Sequence, residues 1–343
     1  MTHPLPASGR PRVSVVVPAR DQAEHVEAAL TSLTRQLDDP RELEVIVVDD
    51  GSVDGTGDIV EEMSGRFARL ELVRNDRVIG LAASRNTGLN RATGRHVAFL
   101  DGDDWFGPGH LQTLVDASEH LGVDFVRTDH VRDTAGRRSV HRVPEHRRGL
   151  VLDAREGIGP VGRTTPVDYP YAPFGLYDAR LRDEGLLYFV AGLHTAEDRP
   201  WIWRLHLHGR TWAVVDSLGA FYRRDERPTL SRVLDLRQLD FLRAFSEVFM
   251  LVARENHPEA VWAKAVRQFL AISAHHLARF TEHAPHLLPE ATDGIAVVLA
   301  TAPDHVVGHT VTELDDVRRR TLSVVPGLAP APSFLDRSLG GTA

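Results

Sequence analysis

The chain has no cysteine in its 343 residues. That excludes a disulfide framework and any thiolate metal site. Lysine is nearly absent too: Lys264 is the only one, and the remaining basic side chains are arginines. This bias carries no functional reading. No run approaches the roughly 20 apolar residues of a membrane-spanning helix. The first twelve residues, Met1 to Arg12, are polar and proline-rich and lack the apolar stretch of a secretory signal. The expected location is therefore the cytoplasm, with peripheral attachment to the inner membrane face left open. The net charge of −8 is opposite to the basic balance of a general nucleic-acid binder, so no nucleic-acid partner is expected. Neither a Walker A loop nor a Gly-x-Gly-x-x-Gly turn follows the first strand, so the ordinary ATPase and dinucleotide signatures are missing.

What is present is an ordinary globular composition, 42% hydrophobic and 26% charged, with a clear alternation of patterns. Short β-branched runs at residues 13–17, 43–48, 70–73 and 96–100 read as buried parallel strands. Between them, residues 21–36, 56–67 and 81–92 carry apolar positions at helical spacing. Strands alternating with helices imply a parallel sheet with right-handed crossovers. A further helix is expected from Pro108 to Leu121 and strands over 123–128 and 212–215. Residues 129–168 are basic and rich in glycine and proline, suited to a β-hairpin or a loop. Beyond Thr229, Leu239, Phe245, Phe249, Val261, Phe269 and Phe280 recur at helical spacing, which predicts a C-terminal helical subdomain.

The strongest local signal is Leu100-Asp101-Gly102-Asp103-Asp104-Trp105 at the end of the fourth strand. Carboxylates this close repel unless a cation or a proton lies between them. The carboxyl end of a strand is where α/β folds bind ligands, and a hard cation bridging a diphosphate suits oxygen donors. A second acidic turn, Asp49-Asp50-Gly51-Ser52-x-Asp54-Gly55, ends the second strand. Its offsets imitate a calcium loop, but a strand precedes it, and Gly57 takes the apolar position. A ligand-facing turn fits better, with Ser52 or Asp54 also capping the helix that follows. Asn75-x4-Gly80-x4-Arg85-Asn86-x-Gly88 sets polar residues on a helix entrance. Its Arg85 suits a diphosphate, the acidic run or a plain surface ion pair. Eighteen scattered histidines show no spacing that would converge three ligands on zinc.

These pieces, taken in order, resemble family 2 glycosyltransferases of the GT-A fold. The match covers roughly residues 12–125 and rests on Val13 to Gln36, Val47 to Ser52, the Arg85-Asn86-x-Gly88 helix and the Leu100 to Trp105 run. The resemblance implies an inverting enzyme that uses a UDP-sugar and Mn²⁺ or Mg²⁺. It implies that Pro18, Ala19, Arg20 and Asp50 meet the uridine. Asn75, Arg85, Asp101 and Gly102 complete the nucleotide-sugar site, and Asp103 is the metal ligand. Downstream, His194-Thr195-Ala196-Glu197-Asp198-Arg199-Pro200-Trp201 resembles the family's Glu-Asp turn, which makes Asp198 the general base. On the residues alone, Glu197-Asp198 reads first as favourable charge at a helix start, and the upstream matches reverse that preference. Phe221-Tyr222-Arg223-Arg224 resembles a loop that closes over the diphosphate, and the family's frequent histidine is replaced there by Asp225. Asp104, Trp105, Glu197 and Trp201 are candidate acceptor contacts. The Gln-x-x-Arg-Trp signature of processive synthases is absent.

The expected architecture is thus α/β: a GT-A domain with a mostly parallel, Rossmann-like central sheet and flanking helices, then a helical subdomain. Expected boundaries are a disordered tail at 1–11, a catalytic domain at 12–228 and helices at 229–330. The catalytic domain splits near residue 125 into nucleotide-sugar and acceptor halves, and 331–343 is a flexible tail. The resemblance implies a hexosyl- or N-acetylhexosaminyltransferase acting on a glycan or cell-wall polymer, with the tail helices available for oligomer contacts. Two alternatives stand beside it. One is an inactive nucleotide-sugar-binding scaffold, which retention of Asp101, Asp103 and Asp198 disfavours. The other is a nucleotidyltransferase, whose glycine-rich N-terminal loop with a following lysine is absent.

Overall fold

The computed structural model describes residues 9–224, 234–254 and 259–328. The terminal residues 1–8 and 331–343, and Asp225 with its neighbours, lie outside the described residues. The chain divides into two compact units, one of Met1–Ile158 with Thr164–Arg227, the other of Gly159–Arg163 with Pro228–Ala343.

The first unit is built on one sheet. Its parallel half comprises β1 (Val13–Ala19), β2 (Leu43–Asp49), β3 (Leu70–Arg74) and β4 (His96–Phe99), in the order β3-β2-β1-β4. The apolar residues of β1, β2 and β4 are buried, as expected of strands covered on both faces. α1 (Val26–Leu33), α2 (Thr56–Met63) and α3 (Leu81–Arg91) make the crossovers. The order reverses between β1 and β4, which creates the switch point where such sheets bind ligands. The rest of the sheet is mixed: β5 (Trp105–Phe106), β6 (Phe125–Thr134), β7 (Arg137–His141), β8 (Leu152–Asp153), β9 (Gly175–Asp178) and β10 (Thr211–Arg223). β9 runs antiparallel to both β4 and β6, and β10 runs parallel to β6. α4 (His110–Leu121), α5 (Ala179–Asp183) and α6 (Asp198–His208) complete the unit.

Four local outcomes differ from the sequence expectation. β1 continues through Pro18 to Ala19, because β4 pairs only up to Val16 and no partner there needs the N–H that proline lacks. α1 starts five residues later than the periodicity predicts. The N–H groups of Asp21, Gln22 and Ala23 bond instead to the side chains of Ser52, Thr56 and Asp54. β6 extends to Thr134 and turns into β7 through Ala135 and Gly136, both at positive φ, the geometry of a two-residue hairpin. β10 runs 13 residues rather than four, across a register shift between Val215 and Ala220.

The second unit is helical: α7 (Asp240–Arg254), α8 (Glu259–His283), α9 (Leu288–Leu299), α10 (Asp304–Thr312) and α11 (Asp316–Leu322). Its core packs Phe241, Phe245 and Phe249 around Phe269 in tilted and edge-on contacts. Lys264, the lone lysine, is buried and donates to the carbonyl of Arg163 at 2.8 Å. None of the described helices is long and apolar enough to cross a membrane.

Candidate active site

Three strand-end loops meet at the switch point. The carbonyl of Ala19 accepts from the N–H of Asp50 at 2.9 Å, and that of Pro18 accepts from Gly102 at 3.2 Å. Hence the β1, β2 and β4 loops are stitched edge to edge through their backbones. Gly51, at φ +69, lies under the 77–78 backbone, where an added Cβ would sit 3.2 Å from Arg77 C and Val78 N. The buried Asp50 carboxylate accepts from Asn75 Nδ2 (3.0 Å) and from the N–H groups of Ile79 (2.8 Å) and Gly80 (2.8 Å). Three of the roughly four acceptor positions of a carboxylate are thereby used within the chain. Asp50 and Asn75 form one structural pair shaping the 75–80 turn. Arg20 is exposed, its Nε 3.6 Å from Asp21 Oδ2.

The acidic turn after β4 gives its three carboxylates different surroundings. Asp101 is 28% exposed at its side chain and accepts from Arg85 Nη2 at 2.8 Å. Asp103 is half-buried. Asp104 points inward, only 2% exposed. Its Oδ1 accepts from the N–H of Arg223 at 2.8 Å, and Oδ2 has no partner among the described residues. Burial, then the charges of Asp103 and Asp101, push the Asp104 carboxyl well above the usual carboxylate range. Asp104 therefore faces the interior and ties the turn to β10 through the Arg223 N–H. Trp105 lies flat on Phe221, ring centroids 5.2 Å apart and planes at 6°. The Arg223 guanidinium lies over the Trp105 ring, 4.8 Å from its centroid, with Nε donating to the carbonyl of Asp103 at 2.9 Å. Arg224 turns away: its N–H bonds the carbonyl of Asp133 (2.7 Å), and its guanidinium lies 5.7 Å from the Tyr222 ring. Of the two arginines, only Arg223 stands at the acidic turn.

The second acidic turn begins α6. Ala196 holds φ +58, a left-handed conformation uncommon for a residue with a Cβ. Glu197 follows, buried, with Oε1 accepting from Arg85 Nη1 at 2.9 Å. Asp198 is half-buried in the first turn of α6, where the helix dipole favours an anion. Burial, with the charge of Asp198 next, raises the Glu197 carboxyl to about 7. Burial also raises that of Asp198. Glu197 is thus turned into the protein against Arg85 rather than toward an acceptor. Trp201 is corrected more completely. It is 0% exposed, donates Nε1–H to the Leu187 carbonyl at 3.0 Å, and stacks on Phe189 at 5.4 Å. It is core, because the first turn of α6 faces Phe99 and Tyr177.

Arg85 takes the pairing with the acidic run that its residue type allowed. It is 3% exposed, and its guanidinium joins Asp101 to Glu197 while lying 5.1 Å from the Phe189 ring. The neighbouring Asn86 went unassigned from sequence. Its amide donates to the Phe189 carbonyl (2.9 Å) and accepts from the Phe189 N–H (2.8 Å). The available signal was the Arg85-Asn86-x-Gly88 spacing itself. Gly88 completes it: an added Cβ would lie 2.3 Å from Val16 Cγ1, so only glycine lets α3 press onto β1 this closely.

Among the described residues, no group of three or more His, Asp or Glu side chains is arranged to hold a metal ion unaided. Buried histidines serve the core instead, as His206 does with the Ala154 carbonyl. The donor chemistry of the acidic turn nonetheless suits a hard cation. Magnesium-type sites use one or two carboxylates and take the remaining ligands from phosphates and water. Asp103, beside Asp101, offers that set.

Residues 14–184 match the family model described as Glycosyl transferase family 2. The chain belongs to glycosyl transferase family 2. It is 30% identical over 193 residues to "Uncharacterized glycosyltransferase EpsJ" of Bacillus subtilis, covering 55% of this chain and 54% of that protein. It is 38% identical over 116 residues to glycosyltransferase AglE of Haloferax volcanii, covering 34% and 38%. The chain thus spans about half the length of these curated relatives, or less. In fold it is similar to S. aureus TarS 1-349, solved in complex with UDP-GlcNAc. The TM-score is 0.73 at 19% identity, covering 91% of each chain. That likeness identifies the GT-A-like architecture, a curled mixed sheet with flanking helices followed by C-terminal helices.

Proposed function

We propose that this chain transfers a sugar from a UDP-sugar to a hydroxyl of a glycan or cell-wall polymer, with inversion, using Asp198 as the base. The observation that carries this reading is the meeting of the Asp101–Asp104 turn and the Glu197–Asp198 turn through the shared guanidinium of Arg85. It brings a leaving-group site and a base into one constellation. The UDP-sugar is supported by the family and by the UDP-GlcNAc held in the TarS fold neighbour.

In this reading the strand-end loops at Pro18, Ala19, Arg20 and Asp50 seat the nucleoside. Arg223, held at the acidic turn, sits beside the diphosphate. Asp103 would hold Mn²⁺ or Mg²⁺, which when bound neutralises charge on the departing diphosphate. Asp198 takes the proton of the acceptor hydroxyl as that oxygen bonds to the anomeric carbon and the bond to the diphosphate breaks. The raised carboxyl of Asp198 makes it a stronger base than a solvated aspartate. Trp105, half-buried beside Arg223, remains the aromatic candidate for an acceptor contact.

The test is incubation with a panel of UDP-sugars and Mn²⁺, reading UDP release and donor-dependent melting shifts. A donor-specific shift with UDP release on addition of a glycan acceptor is expected. No shift and no release across the panel would overturn the reading.

A further inference from the structure

Arg85 and Asn86 are adjacent on α3, yet both reach more than 100 residues ahead to the segment that leads into α6. Asn86 pairs both backbone groups of Phe189. Phe189 in turn stacks on Trp201 of α6, with ring planes at 2°. Arg85 holds Glu197, the residue before Asp198, with one arm and Asp101 with the other. A guanidinium points its N–H donors outward in one rigid plane, so the two carboxylates bonded to Nη1 and Nη2 are set in register with each other. The left-handed Ala196 between these anchors is a conformation that persists only where surrounding contacts impose it. Arg85 has little solvent exposure, and each of its two terminal nitrogens is engaged by a carboxylate.

We infer that Arg85, seconded by Asn86, is a positioning residue: it registers the Asp198 turn against the Asp101 turn through Glu197, and is not a ligand of the diphosphate. This rests on the sugar-transfer reading above for the roles of the two turns. It predicts that Arg85 acts on turnover rather than on donor affinity. A misplacement of about 1 Å in a reacting group can cost on the order of 100-fold in rate.

The experiment compares wild type with Arg85→Met, Arg85→Lys, Glu197→Gln and the Arg85→Met/Glu197→Gln pair. Donor binding is read by calorimetry with the UDP-sugar found active, and turnover by UDP release with acceptor. Arg85→Met is expected to lower kcat on the order of 100-fold while donor Kd stays within about threefold. Arg85→Lys, which can reach only one carboxylate at a time, should restore part of kcat. The double variant should be no slower than the worse single one, since both break the same link. A donor Kd weakened more than about tenfold at unchanged kcat, or strictly additive losses, would overturn the inference and make Arg85 a donor ligand or a bystander. If wild type neither binds nor turns over any nucleotide sugar, the sugar-transfer reading fails by itself. The clamp is then judged without ligand, by amide hydrogen exchange. Faster exchange of residues 187–199 in Arg85→Met, against an unchanged β1–β4 sheet, supports it, and unchanged exchange there sinks it.

Discussion

The two acidic turns solve the same electrostatic problem in different ways. Each sets neighbouring carboxylates at the mouth of the sheet, and each buries one while leaving the other half-exposed. In the turn after β4, Asp104 is buried and Asp103 is not. In the turn before α6, Glu197 is buried and Asp198 is not. The buried members are both pushed upward by burial. Their partners differ: Asp104 has a single backbone N–H from Arg223, whereas Glu197 has the full charge of Arg85. An acid whose charged form is disfavoured by burial, held by one amide, serves as a shape element. An acid tied to a buried guanidinium is a joint between two turns, and breaking a buried ion pair by removing one partner costs about 3–5 kcal/mol. The lesson is that sequence adjacency in an acidic run says little about role, which depends on which way each carboxylate faces.

The comparison assigns chemistry to the outward members, and the largest effects should fall there. Asp198→Asn keeps volume but cannot accept a proton, so kcat should drop about 10²–10⁴-fold with donor affinity retained in calorimetry. Normal turnover in that variant would remove Asp198 as the base. Asp103→Ala should act on the other side of the reaction. Donor binding in Mn²⁺ should weaken about 10-fold or more, toward the metal-free value, because a hard cation loses its carboxylate ligand. If Asp103→Ala binds donor equally well with Mn²⁺ and with chelator, while wild type distinguishes them, the metal is held elsewhere.

Much of this was legible in the sequence, and for identifiable reasons. The parallel half of the sheet announces itself because strands buried on both faces must be almost wholly apolar, as Val15–Val17 and Val45–Val48 are. Strand-end motifs then fall where the topology reverses. The mixed half was less legible. β6 and β10 continue into polar residues such as Arg132 and Arg223, which pair in the ladder without an apolar pattern to mark them. Side-chain direction was the least legible of all. Trp201 reads as an aromatic beside a catalytic motif, but helical geometry turns it onto Phe189 and Tyr177. Arg85 suits a diphosphate, the acidic run or a surface ion pair, and nothing local reveals that Glu197, 112 residues away, takes its other arm.

The inward members yield smaller, opposite signatures. Glu197 titrates near 7 when folded and near 4.3 when unfolded. Between those values the folded state holds a proton that the unfolded state has released. Its contribution to stability is therefore complete below about pH 4 and is lost as pH rises through about 7. Urea melts of Glu197→Gln should show that decline flattened between pH 5 and 8. A slope equal to wild type would mean that Arg85 keeps Glu197 ionised throughout.

The smallest effect is expected at Asp104. Asp104→Asn preserves the oxygen that accepts from Arg223 and replaces one unpaired polar atom by another, so urea stability should change by less than about 1 kcal/mol. Asp104→Ala instead strands the Arg223 N–H and should cost about 1–3 kcal/mol. Because Arg223 also spans Trp105 and the Asp103 carbonyl, the alanine variant should loosen donor binding with the stability loss, and the asparagine variant should do neither. An asparagine variant as defective in metal-dependent donor binding as Asp103→Ala would show that Asp104 works as a charge. The two turns would then differ in more than the partner of their buried acid.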